Sequence, residues 1–251
     1  MDTKNLITID ANGLHYKVLN EKINTVLEQN HNVDTIIIDN VCGQRYIGAA
    51  IKKNVRFVIN GTPGNDLSAF MDGTEIVVNG NAQDAIGNTM NSGTIIVHGN
   101  AGDIVGYGMR GGKIYIKGNV GYRVGIHMKA FKENFPVIVV GGETKDFLGE
   151  YMAGGLLIVL GLYKDTLPVG DFVGTGMHGG TIFIRKENID DRLLGKEVKS
   201  TTLATNDLEL LTKYLSEYCK IFNFNLDEIL SKPFIKLYPY SHRPYGRLYA
   251  Y

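Results

Sequence analysis

Methionine recurs along this chain at a nearly fixed interval. Six of the seven methionines, Met71, Met90, Met109, Met128, Met152 and Met177, hold the same place in a repeated segment. The first three steps are 19 residues each (90−71, 109−90, 128−109), and the next two are 24 and 25. A repeat of roughly 20 residues means one structural unit stacked on copies of itself, which restricts the fold more than any local motif does.

Aligned by this period, the chain reads DAIGNTMNSGTIIVHGN (84–100), DIVGYGMRGGKIYIKGN (103–119), DFLGEYMAGGLLIVLG (146–161) and DFVGTGMHGGTIFIRK (171–186). The shared order is Asp, two mostly apolar residues, Gly, two residues, Met, a glycine-rich pair and an alternating apolar strand. NDLSAFMDGTEIVVNG (65–80) has Ser68 in the glycine place, and RYIGAAIKKNVRFVING (45–61) has Ile51 in the methionine place. YRVGIHM (122–128) carries an insertion, KAFKENFP, before its strand, so seven copies are present.

Counted back from the closing glycine, one strand column is Phe57, Ile76, Ile95, Ile114, Val137, Leu157 and Ile182. A second is Ile59, Val78, Val97, Ile116, Val139, Val159 and Ile184. Alternate side chains of a strand point to opposite faces, so these constant columns are predicted to lie inside. The methionines and the apolar residues before each glycine (Leu67, Ile86, Val105, Val124, Leu148, Val173) supply a second inner wall. A 19-residue unit is too short for a βαβ crossover. It suits one coil of a solenoid, with glycines at the tight corners. The predicted fold is mainly β: a right-handed parallel β-helix of about seven coils, with short helical terminal segments. Six steps between coils span roughly 29 Å.

The ends differ from the middle, which divides the chain into an N-terminal cap segment (1–40), a repeat domain (41–187) and C-terminal helices with an extended tail (188–251). Residues 20–30 read as a helix and 35–40 as a strand. Asn206 and Glu209 have capping-box spacing, and Leu208, Leu211, Leu215, Tyr218 and Phe222 follow at helical intervals. Asn225 and Glu228 suit a second, shorter helix. An open coil exposes unpaired strand edges, so the terminal segments are expected to cover the ends.

Lys+Arg and Asp+Glu are both 26, which gives no general attraction to nucleic acid or an anionic membrane. The first residues carry no signal-peptide pattern, and no apolar run is long enough for a membrane span. Cys42 and Cys219 lie in dissimilar contexts, so a cytoplasmic protein without a disulfide is expected.

Several features invite a chemical reading. The Asp column (Asp84, Asp103, Asp146, Asp171) suggests a cation ladder, but Tyr122 interrupts it and the calcium nonapeptide is absent. The simpler reading is that each Asp accepts backbone N–H groups at a corner. The G-x-G pairs at Gly106–Gly108 and Gly174–Gly176 precede strands rather than helices, so they read as corner glycines and not a dinucleotide fingerprint. His98, His127 and His178 occupy different repeat positions and lack metal-ligand spacing. Cys42 has no nearby histidine in sequence to activate it. Arg110, Arg123 and Arg185 also fall in different repeat positions, against a carbohydrate-active groove.

The runs GQRYIGAAI, GTPGNDLSAFMDG, NAQDAIGNTMNSG, GNAGDIVGYGMRGGKIYIKGNVGYRVGIHMK and VGDFVGTGMHGG resemble the G-x-G-x-G β-helix domain of glutamate synthase. The likeness covers about residues 40–187 and is greatest to the form in which that domain is a separate chain, as is the RPYG tail at 243–246. A related β-helix occurs in one of the subunits of formylmethanofuran dehydrogenase. The resemblance implies a non-catalytic structural subunit of a complex that moves glutamine amide nitrogen to 2-oxoglutarate. Its partners would be a glutamine amidotransferase and an FMN- and iron–sulfur-containing synthase subunit. No catalytic, cofactor-binding or metal residue is expected in this chain, and a homo-oligomer is compatible with the pattern. The alternatives are the equivalent subunit of formylmethanofuran dehydrogenase or methylglutamate synthase and, in another class, a carbohydrate-active β-helix enzyme. The surfaces expected to meet partners are the 129–136 bulge (Lys129, Phe131, Lys132, Glu133), the 162–170 loop (Tyr163, Lys164, Asp165) and the tail (Arg243, Tyr245).

Overall fold

The computed structural model describes residues 5–240. Its elements in chain order are β1 (Leu6–Asp10), α1 (Tyr16–Gln29), β2 (Thr35–Cys42), β3 (Arg56–Thr62), β4 (Glu75–Asn79), β5 (Thr94–Val97), β6 (Lys113–Ile116), β7 (Val137–Val140), β8 (Ala153–Val159), β9 (Gly179–Ile184), β10 (Val198–Thr202), α2 (Thr205–Phe222), α3 (Leu226–Leu230) and β11 (Ile235–Pro239). One strand per repeat copy stacks in parallel, from β3 to β9, as the period requires. β1 and β2 extend the same parallel ladder, and β11 and β10 close it antiparallel, giving an 11-stranded sheet. The architecture is the expected parallel β-solenoid.

Two backbone habits alternate around each coil. The strand side is ordinary extended chain. The opposite corner, where each glycine-containing segment lies, has positive φ at every second residue: Ile104, Gly106 and Gly108 in one coil, and Arg123, Gly125 and His127 in the next. The flips turn successive N–H groups alternately forward and back. Ile104 N–H donates to Tyr122 C=O one coil ahead (2.8 Å), Gly106 N–H to Ile86 C=O one coil behind (2.8 Å), and Gly108 N–H to Ile126 C=O ahead (2.9 Å). Among the described residues, thirteen of the sixteen non-glycine positions with positive φ lie in these corners. Each costs of order 1–3 kcal/mol in isolation, and the bonds to both neighbouring coils hold it there. Glycine is confined mainly to the middle flip, which faces the interior. A Cβ on Gly125 would stand 2.9 Å from both methyl carbons of Leu157.

The interior holds the two strand columns, the methionine ladder and the apolar residues before each middle glycine, all essentially inaccessible to solvent. One coil differs from the expectation. Ile138 and Val140, not Val137 and Val139, continue the inner columns, because Ile114 pairs with Ile138 and Ile116 with Val140. The coil closes on Gly142, whose N–H reaches Gly118 C=O (2.9 Å), so counting back from Gly141 displaces the register by one. A one-residue slip exchanges the two faces of a strand.

Val137 and Val139 point outward, and there they are covered. Val77, Ile96, Tyr115, Val139, Ile158 and Phe183 form a second apolar layer with Leu211, Leu215, Tyr218 and Phe222 of α2. The C-terminal helix therefore seals the outer face of the sheet, whereas the sequence suggested that it covers an end. The ends are closed by other segments: Leu19, Ile23 and Leu27 of α1 at one, and Val198, Ile235 and Leu237 at the other. α1 begins earlier than expected, at Tyr16. The helix α2 also starts earlier than the Asn206–Glu209 spacing implies. Its N-cap is Ala204, whose N–H donates to the Asp207 carboxylate at 2.9 Å, and Leu208 is exposed. The extended tail is seen as β11; the residues after Tyr240 lie outside the described part.

Polar ladders join successive coils. The Asp84 carboxylate accepts Asp103 N–H (2.9 Å), Asp103 accepts Tyr122 N–H (2.9 Å) and Asp146 accepts Asp171 N–H (3.0 Å). This is the corner role expected for the Asp column, and no metal-binding group of side chains occurs among the described residues. A second ladder was not anticipated: Asn81, Asn100 and Asn119 accept the N–H groups of Asn100, Asn119 and Glu143 (2.8–2.9 Å).

The helix α2 is fixed to the sheet by Glu217, which accepts from Lys113 Nζ (2.5 Å) and Tyr115 Oη (2.7 Å). Partial burial pushes the Glu217 carboxyl up, but the bonds from Lys113 and Tyr115 outweigh it and leave the group below the usual glutamate value of 4.5. A depressed carboxylate adds stability above its unfolded pKa, which is lost as pH falls through the folded value.

Three substitutions test this description. Gly125→Ala places a Cβ at positive φ against Leu157 and should cost about 2–4 kcal/mol in urea unfolding. Ser68→Gly removes a buried hydroxyl without a partner at a positive-φ position and should gain about 1 kcal/mol or more. Glu217→Ala should lose about 1–3 kcal/mol at neutral pH, and its deficit should shrink as acid protonates Glu217 in the parent chain.

Candidate functional site

The corner backbone decides which side chains leave the solenoid. In each coil the first and last flipped residues face outward, and stacking places equivalent residues of successive coils one above another. In the C-terminal half four of these positions carry rings, His127, Phe147, Tyr151 and Phe172. Phe147 and Phe172, one coil apart, stack with centroids 5.0 Å apart and planes at 16°. The Arg123 guanidinium lies 4.5 Å from the Phe147 centroid on the coil before, so Arg123, Phe147 and Phe172 form one column. A second column is His127 stacked on Tyr151 (5.2 Å, 11°), with Tyr107 edge-on to His127 (5.9 Å, 90°). The Tyr151 ring lies over Gly176 in the next coil, where a Cβ would collide with it.

This surface is held open by its own chain. Arg123 pairs with Glu150, whose side chain is 9% exposed, so the guanidinium is shared between the carboxylate and the Phe147 ring. At the end of the stack, the Glu197 carboxylate accepts Gly176 N–H (3.1 Å) where a further coil would have offered a carbonyl. Phe172 nevertheless remains 51% exposed and Tyr151 42%. Aromatic rings lose little conformational entropy when they bury large areas, which is why exposed clusters of them mark contact surfaces. Sequence reasoning missed this face. The signal was present in the variable positions beside each repeat glycine, which carry Phe, Tyr, His and Arg in the last four copies.

The predicted contact residues are distributed differently. In the 129–136 bulge, Phe131 and Asn134 exchange backbone hydrogen bonds (3.0 Å each), which closes a small hairpin. Lys129, Phe131, Lys132 and Glu133 are all exposed on it, with Lys132 Nζ 5.3 Å from the Phe131 ring. The 162–170 loop is tied to its own chain. Tyr163 Oη donates to Lys117 C=O (2.9 Å), Lys164 pairs with Glu143 (2.8 Å), and Asp165 C=O accepts from Lys186. The bulge enters β7 and the loop leaves β8, two parallel strands, so they lie at opposite ends of the strands. Arg243 and Tyr245 lie outside the described residues.

The remaining candidates have ordinary surroundings. His98 packs edge-on against Phe222 of α2 (5.2 Å), and burial lowers its pKa. His178 Nδ1 is 3.2 Å from Gly176 C=O. Cys42 is exposed and Cys219 is buried on the sheet-facing side of α2, and both are free thiols. No helix among the described residues is long and apolar enough to cross a membrane.

The Arg123–Glu150 pair gives a direct test of how the aromatic face is held. Arg123→Ala leaves a nearly buried carboxylate without its partner and should cost about 2–3 kcal/mol, while the double change Arg123→Ala, Glu150→Leu should recover most of it in a double-mutant cycle.

Comparison with known proteins agrees with this geometry. The chain is 47% identical over 252 residues to the uncharacterized protein MJ1350 of Methanocaldococcus jannaschii, covering 97% of this chain and 96% of the relative. In fold it is similar to a chain of the formyltransferase/hydrolase complex (FhcABCD) from Methylorubrum extorquens, solved with methylofuran. The TM-score is 0.60 and the identity 22%, with coverage of 80% of this chain and 71% of the other. The GXGXG motif family matches residues 11–240, the stretch that contains every flipped corner and every strand of the sheet except β1. The chain belongs to the GXGXG motif family.

Proposed function

We propose that this chain is a non-catalytic structural subunit of a multi-subunit enzyme complex and that the Arg123–Phe147–Phe172 and His127–Tyr151 columns are a principal partner contact. The observation that carries this reading is the aromatic face itself. Its rings are stacked in register on a rigid ladder and left exposed. A pre-ordered surface loses little entropy on docking. The protruding hairpin at 131–134 provides a second, separate contact at the N-terminal end of the strands.

The complex we favour is a glutamate synthase. In it, this chain would organise a glutamine amidotransferase and an FMN/iron–sulfur synthase subunit, with the flavin and clusters held by those partners. Family membership and the resemblance of the repeat runs support this reading. A second reading has a specific observation behind it: the fold is shared with a chain of a formyltransferase/hydrolase complex. The same surfaces would then serve the equivalent subunit of a formylmethanofuran dehydrogenase or a methylglutamate synthase.

Affinity isolation of the full chain from its native cells, followed by identification of the co-purifying proteins, tests both readings. Amidotransferase and flavin subunits are expected for the first, and formyl-transferring or molybdenum- or tungsten-enzyme subunits for the second. Tyr151→Ala with Phe172→Ser should abolish co-purification while leaving the unfolding midpoint close to that of the parent. Unchanged capture by that variant would remove the aromatic face from the interface, and isolation of the chain always alone would overturn the subunit reading.

A further inference from the structure

The two outer edges of the sheet are treated differently. At the C-terminal edge, β10 carries Lys199. Lysine on an edge strand is a common means of blocking further strand addition. At the N-terminal edge, β1 reads LITID and has no lysine.

β1 bonds to β2 on one side only. Asn5 C=O accepts Thr35 N–H (3.3 Å), and Ala11 N–H donates to Asp39 C=O (2.8 Å), which fixes the alternation between them. The backbone groups of odd-numbered residues face β2, so the N–H and C=O of Leu6, Thr8 and Asp10 face away from it. Among the described residues no strand pairs with that edge. Beside it runs α1, and the two enclose a groove of about 510 Å³. The groove is walled by Ile7, Thr8 and Ile9 on the strand side and by Val18, Lys22 and Val26 on the helix side. Leu6 is 52% exposed and Val18 42%. β1 also precedes the family match, which begins at residue 11.

We propose that a second copy of this chain occupies this edge, with β1 pairing antiparallel to its counterpart across a two-fold axis at Thr8. The free residues lie symmetrically about Thr8. In that register Thr8 exchanges both its backbone bonds with Thr8 of the second copy, and Leu6 does the same with Asp10, so every outward-facing group finds a partner. Threonine facing threonine is a favourable cross-strand pair. The two copies of α1 then run antiparallel over the inner side of the paired strands, where Val18 of each copy comes towards Val26 of the other. Glu21 and Lys22 are adjacent and opposite in charge on this face. Two copies related by a two-fold can therefore set each glutamate near a lysine, and neither sign accumulates. The result is one sheet continuous through two solenoids joined end to end, with the aromatic face of each copy left free.

Sedimentation of the full chain over a wide concentration range, with amide hydrogen exchange at both extremes, tests this. A reversible dimer is expected. Leu6, Thr8 and Asp10 amides should exchange more slowly at high concentration, while those of Ile7 and Ile9, already bonded to β2, should change little. Thr8→Pro removes only an outward N–H and should weaken the dimer at least tenfold. Val18→Glu, at an exposed helix position, should do the same without touching β1, and it decides the matter if the proline variant does not fold. A chain that stays monomeric throughout overturns the proposal, as does a dimer that both variants leave intact. Protection of the same amides by a foreign strand on a monomeric chain likewise overturns it.

Discussion

The structure depends on a reversal of peptide direction at every second residue of the glycine-containing corner. An extended strand already offers its hydrogen bonds to both neighbours, but a tight corner of ordinary right-handed turns would bond mainly within itself. The alternation of left- and right-handed residues sends N–H groups forward and back in turn, so the corner becomes a ladder like the sheet opposite. Parallel coils can then remain in register all the way round. The outer flips tolerate Ile104, Arg123, Phe147 and Phe172 because their side chains leave the solenoid. The middle flip is glycine in every coil but that of Ser68, because a Cβ there would enter the path of an inward aliphatic side chain from a following coil.

The same geometry that fixes the interior arranges the exterior. Residues brought to a common height on successive coils stack whether or not the stack is covered. On the strand side, the outward column is apolar and α2 lies across it, held by Glu217 to Lys113 and Tyr115. On the corner side, the outward columns of the C-terminal coils carry His127, Phe147, Tyr151 and Phe172, and Tyr151 and Phe172 stay exposed. The first is part of one chain's core; the second is, in our reading, the corresponding part of an assembly's core.

The solenoid was legible in the sequence because its determinant is periodic. Methionines at a recurring step, paired aliphatic columns and repeated glycines all report the same unit of about 20 residues. The acidic corners were legible for the same reason. The register of β7 was not, because the consecutive glycines Gly141 and Gly142 offer two closing positions and only the pairing with β6 selects the second. The covering of the sheet by α2 was obscured by the diversity of the residues beneath it. Val77, Ile96, Tyr115 and Phe183 differ among themselves, so they read as a variable outer column, although each is apolar. The aromatic face escaped notice because Phe147 and Phe172 are ordinary residues in one dimension and become neighbours only when the coils are stacked. Arg243 and Tyr245 fall outside the described residues, so the contact role expected for them stays a sequence-level expectation.

The asparagine and aspartate ladders run one way. In each rung the side-chain acceptor belongs to the earlier coil and the backbone donor to the later one: Asn81 receives Asn100, Asn100 receives Asn119, and Asp84 receives Asp103. The stack therefore has a leading end. Each finished coil carries the docking points for its successor and takes none of them from residues further along. A polypeptide synthesised from its amino terminus thus presents these side-chain acceptors to the segment that emerges next.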